Sequence, residues 1–165
     1  MTAPVVVFAV GNPSRGDDAI APALLARLAG WLEDQGLSAH FELIEDFQLQ
    51  IEHALDLEGR QLALFIDASV GTTAPCSLAR VSAAADASHT SHALSPAAVL
   101  QVYVQMHGEA PPAFVLGVRG EAFELGEPLS AAAADHSETA FAWLRQLCRQ
   151  PTLPAWEQAA TDGDA

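Results

Sequence analysis

The chain has 165 residues, of which 50% are hydrophobic and 17% charged, and its formal net charge is -14. This length and apolar content suit one folded domain with its own core, and they exclude a largely disordered chain. All seven of the Lys and Arg residues are arginine. The absence of lysine excludes lysine-based phosphate binding, Schiff-base chemistry and lysine general bases. The acidic balance disfavours nucleic acid and anionic membranes as partners and favours a basic partner or a metal cation, although an ordinary soluble acidic protein shows the same balance.

No segment has the pattern of a leader or a membrane span. Residues 1–10 lack a basic n-region and lead directly into a motif, and no apolar run reaches the roughly 18 residues that a span requires. Cys76 and Cys148 are too far apart in sequence for a Cys-x-x-Cys site, so we expect two free thiols in a reducing compartment. The sequence therefore predicts a soluble cytoplasmic protein.

The predicted elements alternate between strands and helices along the chain. The predicted strands are Val5–Val10, Phe41–Ile44, Leu62–Ile66, Ser77–Val81 at an edge, and Phe114–Val118. The predicted helices are Ala19–Leu37, Gln48–Leu57, Ser95–His107 and Ser130–Arg149. Because the first and third strands are continuously apolar, they must be buried on both faces. This order predicts an α/β fold with a mostly parallel, twisted sheet of about five strands sandwiched between helices.

The C-terminal end is predicted to differ from the rest of the chain. Residues 1–149 are expected to form a single α/β domain, and residues 150–165 a weakly ordered tail. Pro151 and Pro154 interrupt regular structure there, and Leu153 and Trp156 are the main apolar anchors. A truncation after Gln150 is accordingly expected to leave the domain intact.

Acidic residues follow two of the predicted strands. Asp17 and Asp18 come after the glycine-rich turn that ends the first strand, and Asp67 closes the third strand. Ligands of open α/β sheets bind beyond the carboxyl ends of the strands, so chemistry is expected there. A carboxylate at the edge of a buried run must be paired, hydrogen-bonded or metal-bound. The alternatives are helix capping by Asp17 and Asp18 and a turn-stabilising role for Asp67.

One histidine lies where it could join these carboxylates. His92 belongs to a polar loop just before a helix, from which an imidazole can reach the same edge of the sheet. Four other histidines are expected on the surface or on helix flanks: His40, His53, His107 and His136. Asp18, Asp67 and His92 together would make an oxygen and nitrogen site for a borderline divalent ion such as nickel or zinc. Their spacing alone does not show that they meet.

The residues also carry a family resemblance. The run from Val5 to Asp18 resembles the opening of the [NiFe]-hydrogenase maturation endopeptidases, and the run Leu64–Ala68 resembles their second motif, a buried strand ending in aspartate. His92 resembles the third motif and Val115–Val118 a later strand, with order and spacing that agree over about residues 4–148. The resemblance implies a twisted sheet between helices and a peptidase that removes a short C-terminal extension from the hydrogenase large subunit after nickel insertion.

The resemblance also implies roles for individual residues. It assigns metal binding and catalysis to Asp18, Asp67 and His92, with Asp18 or Asp67 as candidate general base. Nickel is expected to arrive with the large-subunit precursor, held by its cysteines, so the isolated protein should carry no tightly bound cofactor. The alternative is a non-catalytic metal-binding chaperone or interaction module for hydrogenase assembly that uses the same three residues.

One segment departs from the family pattern. Family members often have a glycine- and threonine-rich segment after an aspartate that follows the second strand. Here Asp46 matches, but it is followed by Phe47, Gln48, Leu49 and Gln50, and the glycines are absent. This pattern resembles the branch that processes large subunits of cytoplasmic, NAD-linked bidirectional hydrogenases. We therefore expect Asp46, Phe47, Gln48 and Gln50 to take part in substrate selection, the alternative being core packing of a short helix.

Overall fold

The computed structural model describes residues 2–85 and 94–163 of the chain. The strands are β1 (Val5–Val10), β2 (Phe41–Asp46), β3 (Leu62–Ser69), β4 (Cys76–Val81) and β5 (Ala113–Arg119). They form one sheet in the order β2-β1-β3-β5-β4, in which β4 is an antiparallel edge strand and the other pairs are parallel.

Helices cover both faces of this sheet. They are α1 (Ile20–Asp34), α2 (Pro96–His107), α3 (Ala131–Arg149) and α4 (Leu153–Gly163), with short 3₁₀ helices at Gly16–Ala19, Ser38–His40 and Ile51–Leu57. On one face α1, α3 and α4 enclose an apolar cluster, and on the other α2 and the Ile51–Leu57 helix enclose a second. The predicted α/β fold with a mostly parallel sheet is confirmed.

The central strand β1 shows why the sheet needs two covering layers. Its odd-numbered residues lie in the cluster under α1, while Val6 and Phe8 lie in the cluster under α2. The Phe8 ring stacks on Phe65 of β3 with 4.8 Å between centroids. Because successive side chains of a strand point to opposite faces, an unbroken apolar run is stable only between two such layers.

The helix boundaries follow local chemistry. Ser95 and Ser130 cap α2 and α3 by accepting hydrogen bonds from Ala98 N and Ala133 N at 3.1 Å each. α1 is shorter than predicted and is followed by Gly36, whose φ of +71° favours glycine. The helix predicted at Gln48–Leu57 is a 3₁₀ helix that begins at Ile51, so residues 47–50 form an irregular connection instead.

The predicted weakly ordered tail is wrong for residues 153–163, which form α4. Trp156 is fully buried, its indole Nε1 donates to Leu147 O at 2.9 Å, and its ring meets Phe114 edge-on at 5.6 Å. Pro154 lies in the first turn of α4, where its missing N–H group costs nothing. Pro154 is therefore compatible with the start of α4, and Trp156 packs that helix against the sheet.

No helix in the described ranges is long and apolar enough to cross a membrane. Cys76 and Cys148 are both free and buried, as expected of the thiols. Burial raises the pKa of Cys76 to about 11 and that of Cys148 to about 12. Neither sulfur is therefore an available thiolate at neutral pH.

Candidate active site at the carboxyl ends of β1 and β3

The sheet reverses its strand order at β1, which lies between β2 and β3. The connection after β1 crosses one face through α1, and the connection after β2 crosses the other face through the Ile51–Leu57 helix. Such a switch point leaves a crevice beyond the carboxyl ends of the strands. We call the side chains at the ends of β1, β2 and β3 the rim, and it contains Asp18, Asp46 and Asp67.

A tight turn places Asp18 on the rim. The backbone N–H of Asn12 donates to Asp18 Oδ2 at 2.7 Å, which closes the turn after β1. Gly11 is required because a Cβ there would lie 2.1 Å from the carbonyl oxygen of Asp18. The Asp18 carboxylate thus closes the turn after β1, and the alternative role, capping of α1, does not hold for this residue.

Asp17 has a different function from its neighbour, and the sequence did not indicate it. Its buried carboxylate accepts four hydrogen bonds, from Glu121 N at 2.7 Å, Ala122 N at 3.1 Å, and Ser130 N and Oγ at 2.7 Å each. Burial acts to raise the pKa of Asp17, but these donors outweigh it and lower the pKa. Asp17 therefore anchors the segment before α3 and does not cap α1. We call Asp17 and residues 121–130 the anchor.

Asp67 is accessible to solvent but surrounded by protein. Its Oδ1 accepts a hydrogen bond from Ala68 N at 2.9 Å. Desolvation by the surrounding atoms, with the negative charge of Asp18 acting in the same direction, raises the pKa of Asp67 to about 6 despite that hydrogen bond. The two carboxylates therefore lie close enough to interact. A carboxyl group whose pKa is raised by desolvation and by a neighbouring charge is a candidate functional group.

The third predicted ligand, His92, lies outside the residues that the structure describes. The chain resumes beside the rim, where Leu94 N donates to Leu49 O at 3.1 Å. Within residues 2–85 and 94–163 no three His, Cys, Asp or Glu side chains are grouped so that they could hold a metal ion. The structure thus brings Asp18 and Asp67 together, and the position of His92 stays a prediction.

Asp46 lies on the rim at the end of β2, paired with Val10, which is also the partner of Asp67. Its neighbour His53 was expected on the surface, and that expectation is wrong, since His53 is only 7% exposed. The imidazole Nε2 lies 3.4 Å from Asp46 Oδ2, and Nδ1 accepts the backbone N–H of Gln50 at 2.8 Å. The mixed apolar and polar sequence of Ile51–Leu57 does not by itself mark His53 as a side chain that faces the core.

The segment expected to select the substrate is mostly on the surface. Asp46, Phe47 and Gln50 are exposed and Gln48 is half-buried, whereas Leu49 lies in the core under α2. Phe47 is 61% exposed, so it does not pack in the core. Asp46 ends β2 in the row that also contains Asp67, and the exposed side chains that follow it continue from the same edge of the sheet.

A groove of about 360 Å³ lies away from the rim, between α3 and α4. It is lined mainly by apolar side chains, among them Leu78, Trp143 and Leu147, with Asp162 at one side. A single carboxylate without a partner acid or base is a poor basis for hydrolytic chemistry. The rim is therefore the candidate active site.

A doubly wound sheet with carboxylates at its switch point defines the class of the molecule: an α/β fold with its reactive groups beyond the strand ends. No family model matches the sequence, and no curated protein matches it.

Solved structures identify the particular fold within that class. The hydrogenase maturating endopeptidase HybD from E. coli is similar with a TM-score of 0.68 at 22% identity, covering 89% of this chain and 93% of that one. The [NiFe] hydrogenase maturation protease HycI from Thermococcus kodakarensis gives a TM-score of 0.64 at 18% identity, covering 90% and 94%. The HybD protease from the same organism gives 0.60 at 18% identity, covering 87% and 98%. The chain therefore has the fold of hydrogenase maturation endopeptidases, and the resemblance seen in the sequence is confirmed at that level.

Proposed function

We propose that the protein is an endopeptidase that removes the C-terminal extension of a [NiFe]-hydrogenase large-subunit precursor after nickel insertion. The observation that carries this proposal is the pair of interacting carboxylates, Asp18 and Asp67, at the switch point of a fold shared with hydrogenase maturation proteases. The precursor is its partner and the cytoplasm its location.

Nickel enters this reaction as part of the substrate, bound by cysteine thiolates of the precursor. Asp18, Asp67 and His92 would add oxygen and nitrogen donors to the same ion. Carboxylate and imidazole are harder ligands than thiolate, so they can share the ion without removing it from sulfur. An ion shared in this way fixes the scissile bond relative to the rim, which lowers the entropic cost of the reaction.

Water is the nucleophile that fits this site. Cys76 and Cys148 are buried with raised pKa values, so neither supplies a thiolate. With a pKa of about 6, Asp67 is mainly ionised at neutral pH and is basic enough to accept a proton from water. Asp67 is therefore, with Asp18, a candidate general base, and both carboxylates would bind the ion together with His92.

The decisive experiment follows the mass of a nickel-loaded precursor before and after incubation with the protein. We expect loss of one discrete C-terminal peptide, and we expect nickel-free precursor to remain uncut. An unchanged mass together with a stable complex would instead establish the alternative, a non-catalytic metal-binding chaperone for hydrogenase assembly. Elemental analysis of the isolated protein after chelation should show no stoichiometric nickel or zinc, because the ion belongs to the substrate.

We also propose that Asp46, Phe47, Gln48 and Gln50 select the precursor, as in a branch that acts on cytoplasmic NAD-linked bidirectional hydrogenases. Their exposure beside the rim supports this role. Replacing Phe47, Gln48 and Gln50 with glycine and threonine, while keeping the buried Leu49, should change which precursor is cut. Met106→Ser, at a similarly exposed apolar residue on α2, is the matched control. A folded swap variant with unchanged preference would contradict the role.

A further inference from the structure

The Asp46 carboxylate has a partner at each oxygen atom, a hydrogen bond at one and a longer polar contact at the other. Oδ1 accepts the backbone N–H of Phe47 at 2.7 Å, and Oδ2 faces Nε2 of His53 at 3.4 Å. The Asp46 side chain is nevertheless 46% exposed. Asp46 is therefore fixed in direction while it stays accessible to a ligand.

His53 is itself fixed, and in one tautomer. A backbone N–H can only donate, so the bond from Gln50 N requires a lone pair on Nδ1. In a neutral imidazole the proton then resides on Nε2, the atom that faces Asp46. The ring is buried and meets the edge of Phe8 with 5.8 Å between centroids, which restricts its rotation.

The position of Asp46 relates it to the candidate active site. Asp46 and Asp67 flank Val10 in the same row across β2, β1 and β3, and paired residues of parallel strands point to the same face. Two interstrand spacings separate their Cα atoms by about 10 Å. That distance equals about three residues of an extended peptide.

We propose that His53 is a positioning residue that orients Asp46 toward the precursor. Asp46 then accepts a hydrogen bond from an N–H or cationic group of the precursor chain. The donor would lie about three residues from the group bound at Asp67. This inference rests on the proposed endopeptidase function and adds a specificity-determining acceptor to it. It goes beyond the selection segment, because His53 acts from the core.

A purely structural role for His53 is the competing explanation, since its Nδ1 also caps the 3₁₀ helix through Gln50. Two substitutions separate the roles. The amide oxygen of His53→Asn can replace Nδ1 as the acceptor for Gln50 N but offers no donor to Asp46. The amide nitrogen of His53→Gln can replace Nε2 as the donor to Asp46 but leaves Gln50 N without its acceptor.

The experiment measures KM and kcat for cleavage of the nickel-loaded precursor. His53→Asn and Asp46→Ala should each weaken the hydrogen bond between the precursor and Asp46, which should raise KM about tenfold and leave kcat nearly unchanged. The KM of His53→Gln should stay near the wild-type value. His53→Asn should add nothing in the Asp46→Ala background. Wild-type kinetics for His53→Asn, or additive effects in the double variant, would overturn the inference.

Two further measurements keep the inference separable from the proposed function. If the wild-type protein does not cleave the precursor, the proposed function fails, and the same variants are compared by their affinity for the nickel-loaded precursor. Equal affinity in all of them would then overturn the inference as well. If the His53 variants do not fold, nitrogen NMR of the wild-type imidazole decides: a proton on Nε2 supports the arrangement and a proton on Nδ1 contradicts it.

Discussion

The anchor and the rim contain adjacent aspartates, Asp17 and Asp18, but their carboxylates have different roles. Asp17 is buried and receives four hydrogen bonds, which lower its pKa. Asp67 on the rim receives one from Ala68, lies near the charge of Asp18, and has a pKa raised to about 6. The number of donors thus decides whether a carboxylate stabilises the fold or remains available for chemistry.

The largest expected effect separates the rim from the anchor by activity. Alanine at Asp18, Asp67 or His92 should abolish or strongly reduce precursor processing, and double variants should lose little more because the three act as one unit. Asp67→Ala should leave stability unchanged or slightly raised, since it removes a desolvated charge. Asp18→Ala should cost about 1 kcal/mol, because Asn12 N loses its acceptor. Processing assays and thermal melts measure both effects.

Asp34→Ala, which removes an exposed carboxylate at the end of α1, is the matched control and should remain active. A fully active Asp18→Ala or His92→Ala protein would contradict the metal-recognition mechanism. The rim would then be as unnecessary for processing as the anchor.

A second prediction concerns the stability contributed by Trp156, which is remote from both regions. Trp156→Ala should destabilise the protein by about 3–5 kcal/mol, because it empties a fully buried site and removes the hydrogen bond to Leu147. Truncation after Gln150 should lower the melting temperature for the same reason. Urea unfolding gives the free energy, and the folded fraction should retain its processing activity. A truncated protein as stable as the full chain would show that α4 contributes nothing.

A third prediction tests the anchor directly. Asp17→Asn places an amide where only acceptors fit, so at least one backbone N–H loses its partner, at a cost of about 1–3 kcal/mol in unfolding free energy. Processing per folded molecule should be unchanged. A selective loss of kcat in a stable Asp17→Asn protein would move this residue from the anchor to the rim.

The smallest effect is a difference in pH dependence between the two regions. The pKa of Asp67 is raised from 3.8 to about 6, so the folded state binds its proton more tightly. Asp67 therefore reduces the stability as pH rises from about 4 to 6 and keeps it reduced above that. The stabilising effect of Asp67→Asn should appear across this window and vanish below it.

Asp17 should show the opposite sign. Its pKa is lowered below 3.8, so its contribution is present above that pH and is lost as pH falls through the folded-state value. Melting curves of the single variants across pH 2 to 8 test both signs. A stabilisation by Asp67→Asn that persists below pH 4 would contradict the raised pKa.

The sequence determined the α/β class, the five strands and the two carboxylates at the strand ends, because apolar periodicity, serine caps and glycine turns act over a few residues. It did not determine α4, where Pro151 and Pro154 suggested disorder, since the burial of Trp156 depends on a surface made by β4, β5 and α3. Nor did it show that Asp17 anchors the segment before α3, or place His53 in the core. Asp17 depends on hydrogen-bond donors such as Ser130, and His53 on apolar neighbours such as Phe8. These partners are more than forty residues away along the chain, so only folding brings them together.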